Sequence, residues 1–398
     1  MAPSLRRTKR EKARGSRSVI VRRRKITPAF LVLFCVGIIT ILVLNYFGLL
    51  PHHFFQHDDN QDTSINVEVI KSQELSIHFL ELGNRETGDC TLIKVGNTEV
   101  LIDAGSHSSS IPTIKNYLDQ YVSDQTIEYV IVTHAHQDHY AGFATKTDET
   151  SLLDLYQVDT VIQFAQVTDE TKNKDIYKNY IREIEECNAE VYTAKDCIKK
   201  ENGGNNIYQL SDDIDLEILD QRYYYEVSNN ENNHSVCCQI VQKNDEENKY
   251  YLFTGDLEKA GEVSLVASNE LHQVELYKAG HHGSKTSSND VLLEVIKPKN
   301  ICVCCCAGST EYKANPENRF PSQAFIDRIA PYTDQVFVTT LSLNYDKNQF
   351  TSMNGNIVIT CNKFDTEVEV HCSHNKTILK NTQWFADNRI MPDEWLVN

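Results

Sequence analysis

Residues 133–139 read THAHQDH, three histidines and an aspartate within six positions. His134 and His136 stand two apart, so at the end of an extended strand their imidazoles point to one side. Asp138 and His139 are adjacent and cannot share that face; a turn after His136 brings them to a second position a few ångströms away. The segment can therefore supply two ligands to each of two neighbouring metal ions. Two later stretches add to the set. YYLFTGDLE (250–258) ends a strand pattern in a Gly-Asp step, placing Asp256 where a carboxylate can bridge two cations. LYKAGHHGSKTSS (276–288) ends another in His281 and His282, followed by a loop rich in Ser, Lys and Thr. Imidazole and carboxylate together suit two divalent ions, zinc first and manganese or iron next, in four- or five-coordinate sites that keep a water.

Such ligands need rigid elements to aim them. Strand patterns occur at 75–82, 90–95 and 98–105, with a turn at VGNTE, and at 127–133, which leads directly into the histidine cluster. Others follow at 249–256, 273–279, 300–306, 335–340, 355–360 and 367–372. Helical spacing appears in 111–122, through Ile111, Ile114, Leu118 and Tyr121, and in 174–187, through Ile176, Tyr180, Ile181 and Ile184. Strands interleaved with helices, some apolar on both faces, predict a layered α/β domain over 73–398 with no internal boundary.

The chain divides sharply by charge. Of 39 Lys/Arg and 56 Asp/Glu, residues 1–27 hold eleven basic and one acidic, leaving 28 and 55, a net of −27, beyond them. Residues 28–50 are almost continuously apolar, and 22 such residues span roughly 33 Å as a helix. A single transmembrane helix is expected there, in preference to a cleaved signal peptide, since no small-residue cleavage site follows. The basic flank sets 1–27 in the cytoplasm, against anionic lipid, and everything past Pro51 outside the cell membrane. Residues 51–72, with His52, His53 and His57, read as a solvated linker. Cys302, Cys304, Cys305 and Cys306 read as small hydrophobes of a buried strand, although an exported domain can also form disulfides.

Asp103 in LIDAG, then THAHQDH, TGDLE and HHGSKTSS, in this order, resemble the metallo-β-lactamase superfamily over residues 75–360. Within it they are most similar to the hydrolase domain of competence DNA-uptake proteins and to Gram-positive phosphorylcholine esterases. The resemblance implies an αββα sandwich with a two-metal site at one edge. It implies His134 and His136 on the first metal, Asp138 and His139 on the second, Asp256 between them, and His281 or His282 completing the set. Asp103 would orient ligands. Many members carry one more histidine before the bridging aspartate, and His234 is the candidate here. The competence type also tends to carry a late His-Pro step, where this chain has PENRFPSQAFIDRI (316–329); Arg319 there can clamp a phosphate or be a surface residue.

Two cations sharing a water lower its pKa and present hydroxide to an electrophile. The expectation is an outward-facing binuclear hydrolase of phosphate esters in cell-envelope polymers. Asp138 and Asp256 would serve the chemistry, and Ser284, Lys285, Thr286 and the Gly283 amide would hold substrate oxygens. A surface nuclease is the alternative, set back by the net charge of −27, which repels a polyanion. A non-catalytic metal-binding surface module is the third.

Overall fold

The structure is a computed structural model that describes residues 65–311 and 315–396, within a compact unit spanning Asp62–Asn398. The expected transmembrane helix, the basic tail and most of the linker lie outside the described residues. Among the described residues no helix is long and apolar enough to cross a membrane.

Sixteen strands follow one another along the described chain. They are β1 Leu75–Phe79, β2 Thr91–Val95, β3 Thr98–Ile102, β4 Thr126–Val132, β5 Gln157–Gln163 and β6 Glu190–Thr193, then β7 Ile207–Gln209, β8 Ile214–Leu219, β9 Cys237–Gln242 and β10 Lys249–Phe253. After them come β11 Leu276–Lys278, β12 Asn300–Ala307, β13 Val336–Asn344, β14 Gln349–Ser352, β15 Ile357–Cys361 and β16 Glu369–Cys372. They form two eight-stranded sheets, ordered β16-β15-β1-β2-β3-β4-β5-β6 and β14-β13-β12-β11-β10-β9-β8-β7. β1, β2 and β3 pair antiparallel, β3 to β6 parallel; in the second sheet β10 to β13 are parallel.

The sheets stack face to face. Ile77 and Phe79 of β1 share a core with Leu216, Ile218, Ile240, Tyr251 and Phe253 of the second sheet, and the Phe79 and Phe253 rings lie 6.4 Å apart. Burying a Leu, Ile or Phe side chain contributes roughly 1.5–3 kcal/mol, so this seam dominates the adhesion between sheets. Helices Ile111–Leu118 and Asp175–Glu186 pack on the first sheet through Ile114, Leu118, Tyr180 and Ile184. Helices Lys259–Ser268, Asp290–Ile296 and Gln323–Ile329 cover the outer face of the second through Leu265, Leu293, Phe325 and Ile329. The result is four layers, helix, sheet, sheet, helix.

β12 explains the cysteine run. Its side chains alternate, Cys302 and Cys304 into the seam between the sheets and Ile301, Val303 and Cys305 into the outer core. Every described cysteine is a free thiol. The linker reading of 51–72 needs correction at its end: Asn66 caps a short helix, Val67–Lys71, and Ile70 is buried in the main core.

Candidate metal centre

The parallel pairing fixes which residues meet. β3 and β4 run in the same direction, so Asp103 and the 133–139 segment emerge at one edge. β2 is antiparallel to β3, so Asp89, which precedes β2, reaches that same edge. β10 and β11 are parallel, and they deliver Asp256 and His281–His282 together. Backbone hydrogen bonds stitch the loops to one another: Asp89 N–H donates to the Asp138 carbonyl at 3.0 Å and Ala104 N–H to the His139 carbonyl at 2.7 Å. Gly142 lets this happen, because a Cβ there would lie 2.7 Å from the Ala104 carbonyl oxygen. Asp103, His281 and His282 adopt φ values of 60°, 47° and 55°. Left-handed backbone at three non-glycine residues is strain of the kind that collects at functional sites.

Asp256 is the hub. Its buried Oδ2 lies 3.2 Å from His139 Nε2, 3.4 Å from His282 Nε2, 3.8 Å from His281 Nε2 and 4.0 Å from His134 Nε2. His282 Nε2 also lies 3.3 Å from Asp138 Oδ2. His136 joins through its Nδ1, 3.1 Å from His134 Nε2. The ligand atoms of Asp89, His139, Asp256 and His282 fall within 4.8 Å of one another.

The other ring nitrogens are committed, which aims these rings. His139 Nδ1–H donates to Asp103 Oδ2 at 2.7 Å, and Asp103 is itself fixed by the Thr133 N–H and hydroxyl at 2.8 and 2.7 Å. His282 Nδ1–H donates to the Cys304 carbonyl at 2.9 Å. His281 Nδ1 lies 3.1 Å from the Thr286 hydroxyl and 3.5 Å from Glu258 Oε1. The Nε2 lone pairs of His139, His281 and His282 thus turn inward.

These residues fit divalent metal. His139 Nε2 and His282 Nε2 are buried without a hydrogen-bond partner, an arrangement that costs roughly 1–3 kcal/mol per group unless a cation completes it. Two nitrogens on one tetrahedral ion at about 2.0–2.1 Å lie about 3.3 Å apart, close to the separation of His134 Nε2 and His136 Nδ1. Burial, with His139 and His136 beside it, keeps His134 well below the usual imidazole value, hence neutral and able to ligate. Burial opposes charge on His139 and His282 too, yet Asp256 and Asp89, with Asp103 at His139, hold both well above it. The pocket demands positive charge.

Three expected residues are placed elsewhere. His234 is buried, but its Nδ1–H donates to Glu231 Oε1 at 3.0 Å and its Nε2 accepts from Ser228 N–H at 2.9 Å, leaving no lone pair for a metal. Ser284 is buried and its Oγ is taken up by Thr286, whose N–H and hydroxyl lie 3.3 and 3.1 Å away. Lys285 is exposed, and the loop it sits on is fastened from behind: Glu262 accepts from Asn289 N–H at 3.0 Å while Arg328 donates to the carbonyls of Ser287 and Ser288 at 2.7 and 2.8 Å. The Ser/Lys/Thr pattern is a pinned turn.

A cavity of about 500 Å³ opens over the cluster, lined by His136, Gln137, Asp138, Lys174, Asp256, His281, Glu311 and Phe320. Phe320, not Arg319, is its wall from the 316–329 segment, with its ring 5.6 Å from His281 and 5.7 Å from His282. Sequence reasoning missed Asp89, Lys174, Lys278 and Phe320. For Lys278 a signal existed, a lone cation inside an apolar strand.

The metallo-beta-lactamase superfamily model matches residues 83–151, which include Asp89, Asp103 and the whole THAHQDH segment. No curated protein matches the chain. Among solved structures the chain is similar to the metallo-beta-lactamase fold protein YhfI from Bacillus subtilis, at 10% identity and a TM-score of 0.37 over 66% of this chain and 96% of that one. It is similar also to Igni18, a metallo hydrolase from the archaeon Ignicoccus hospitalis, at 13% identity and a TM-score of 0.38 over 66% and 94%. The first half of the candidate centre thus lies within a stretch that matches the metallo-beta-lactamase superfamily, and the second half, Asp256 with His281 and His282, joins it through the fold.

Proposed function

We propose that this chain is a metallo-β-lactamase-superfamily hydrolase that binds two divalent cations and cleaves phosphate esters, anchored by residues 28–50 with its folded part outside the cell membrane. The observation that carries the reading is the position of Asp256 Oδ2 among four imidazole nitrogens at 3.2–4.0 Å. His134 and His136 would hold one ion, Asp138, His139 and His282 the other, with Asp256 shared. His234, Ser284 and Lys285 are left out of this set.

Bound cations supply the acidification of water and the neutralisation of charge in the transition state. The protein's own groups do the rest. Asp103 and the Cys304 carbonyl keep the Nδ1 protons of His139 and His282 pointed away from the cluster. His281 is the least buried of the imidazoles around Asp256, with 18% of its side chain exposed, and Glu258 steadies its Nδ1. At the cavity wall its Nε2 would take a proton from the water that adds to phosphorus and pass it to the leaving alcohol as the P–O ester bond breaks. Lys174, beside the cluster, suits an anionic ester. An excess of 27 negative charges past residue 27 favours envelope polymers that bear compensating cations over nucleic acid.

The test is hydrolysis of bis(p-nitrophenyl) phosphate by the full-length chain in detergent, loaded with Zn²⁺ or Mn²⁺. Turnover should vanish in His136→Ala while thermal unfolding stays cooperative. Turnover retained in that variant contradicts the assignment.

A further inference from the structure

Lys278 is the last residue of β11, with 4% of its side chain exposed, in a strand otherwise made for the core. Its ammonium is ion-paired with Asp89 Oδ2, whose side chain is equally buried. The same ammonium lies 3.9 Å from Asp256 Oδ1.

The two oxygens of Asp256 are therefore divided. Oδ2 faces the imidazoles of His134, His139, His281 and His282, while Oδ1 is buried, makes no hydrogen bond among the described residues, and looks toward Lys278. A carboxylate shared by two cations can offer one oxygen to both or one to each, and the rotation about its Cβ–Cγ bond decides which. We propose that Lys278 is a positioning residue, a fixed internal cation that engages Asp256 Oδ1 so that divalent ions meet Oδ2 alone. The inference rests on the metal-binding part of the function proposed above and names what sets the geometry of the shared carboxylate.

Asp89 has a defined part in this. Its oxygens come near His139 and His282, but its Oδ2 is taken by Lys278. It anchors the ammonium and keeps the pair neutral, so that Lys278 does not repel the ions it helps to place.

Charge effects must be separated from positioning. Removing Lys278 alone frees Asp89 and adds net negative charge, which by itself tightens cation binding; removing Asp89 alone does the reverse. The double variant Lys278→Met with Asp89→Asn leaves the net charge unchanged, and replacing both members of a buried ion pair is commonly near neutral for folding. The measurement is titration of the full-length metal-free chain in detergent with Co²⁺, following the visible absorption of the bound ion and thermal unfolding of the metal-free form. The double variant should unfold cooperatively, bind one of its two Co²⁺ equivalents about ten- to hundredfold more weakly than wild type, and show an altered absorption spectrum. Both equivalents bound within about threefold of wild type, with an unchanged spectrum, would overturn the proposal and leave Lys278 as a structural partner of Asp89. Should the Met variant not fold, Lys278→Gln with Asp89→Asn takes its place with the same expectation, since the shorter amide does not reach Oδ1; wild-type binding there overturns it equally. A wild-type chain that binds no Co²⁺ would instead refute the metal-centre reading itself, a separate and visible failure.

Discussion

Arg389 Nε donates to the carbonyl of Pro321 at 2.9 Å, and its Nη2 donates to the carbonyl of Arg319 at 2.7 Å. The guanidinium thus brackets Phe320, the aromatic wall of the cavity, and stacks 4.7 Å from the Trp384 ring centroid. The C-terminal segment is a strap that holds that wall in place.

The first prediction follows from it. Arg389→Met keeps the apolar stem but leaves buried carbonyls unpaired, at a cost of roughly 1–3 kcal/mol. It should lower the melting temperature and raise KM for a phosphodiester about tenfold, roughly 1.4 kcal/mol, with a smaller change in kcat. Steady-state kinetics with Co²⁺ or Zn²⁺ saturating checks the split.

A second concerns His234. Both of its nitrogens are occupied by Glu231 and Ser228, and Glu231 in turn accepts from Thr168 and Thr171 at 2.8 and 2.6 Å. His234→Gln should cost roughly 1–3 kcal/mol of stability and leave metal stoichiometry unchanged. Loss of one metal equivalent on elemental analysis would contradict the geometry.

The third is a pH effect away from the centre. Burial first, and then Lys94, push His78 down to about 3, and its ring nitrogens sit 2.8 Å from the Tyr117 and Ser76 hydroxyls. Between pH 3 and the unfolded value of about 6.5 the unfolded chain binds more protons than the folded one. Stability should therefore be complete above about 6.5 and decline as pH falls toward 3, by at most about 1.4 kcal/mol per unit from this residue. His78→Gln should flatten that part of the curve, read as melting temperature against pH.

Gly142 provides the fourth. With a Cβ, residue 142 would press on the Ala104 carbonyl at 2.7 Å and part the Asp103 loop from the histidine loop. Gly142→Ala should weaken metal affinity as well as stability. A variant that loses only stability would show that the two loops move together.

The residues that converge at the candidate centre were more legible in the sequence than the scaffold. His134, His136, Asp138, His139, Asp256, His281 and His282 stand at strand ends, where local spacing is visible, and they converge. Asp89 was not, because a Gly-Asp step before a strand looks like any turn until the antiparallel pairing of β2 with β3 brings it to the site edge. Phe320 was hidden for the same reason: its place depends on Arg389, 69 positions along the chain. β5 to β8 and β14 were passed over. β5 alternates exposed and buried residues at its start, β7 has only three residues, and their identity as strands comes from neighbours in the sheet. Ser284 and Thr286 satisfy a turn in the structure, and in sequence such polar residues look like ones that await a substrate.

Metal stoichiometry tests the central claim most directly. Elemental analysis of the full-length chain after Zn²⁺ loading and desalting should give two equivalents per chain, and Asp256→Asn should retain at most one while still folding cooperatively. Zero or one in the wild type, or two retained in Asp256→Asn, would contradict a two-cation centre built around that carboxylate.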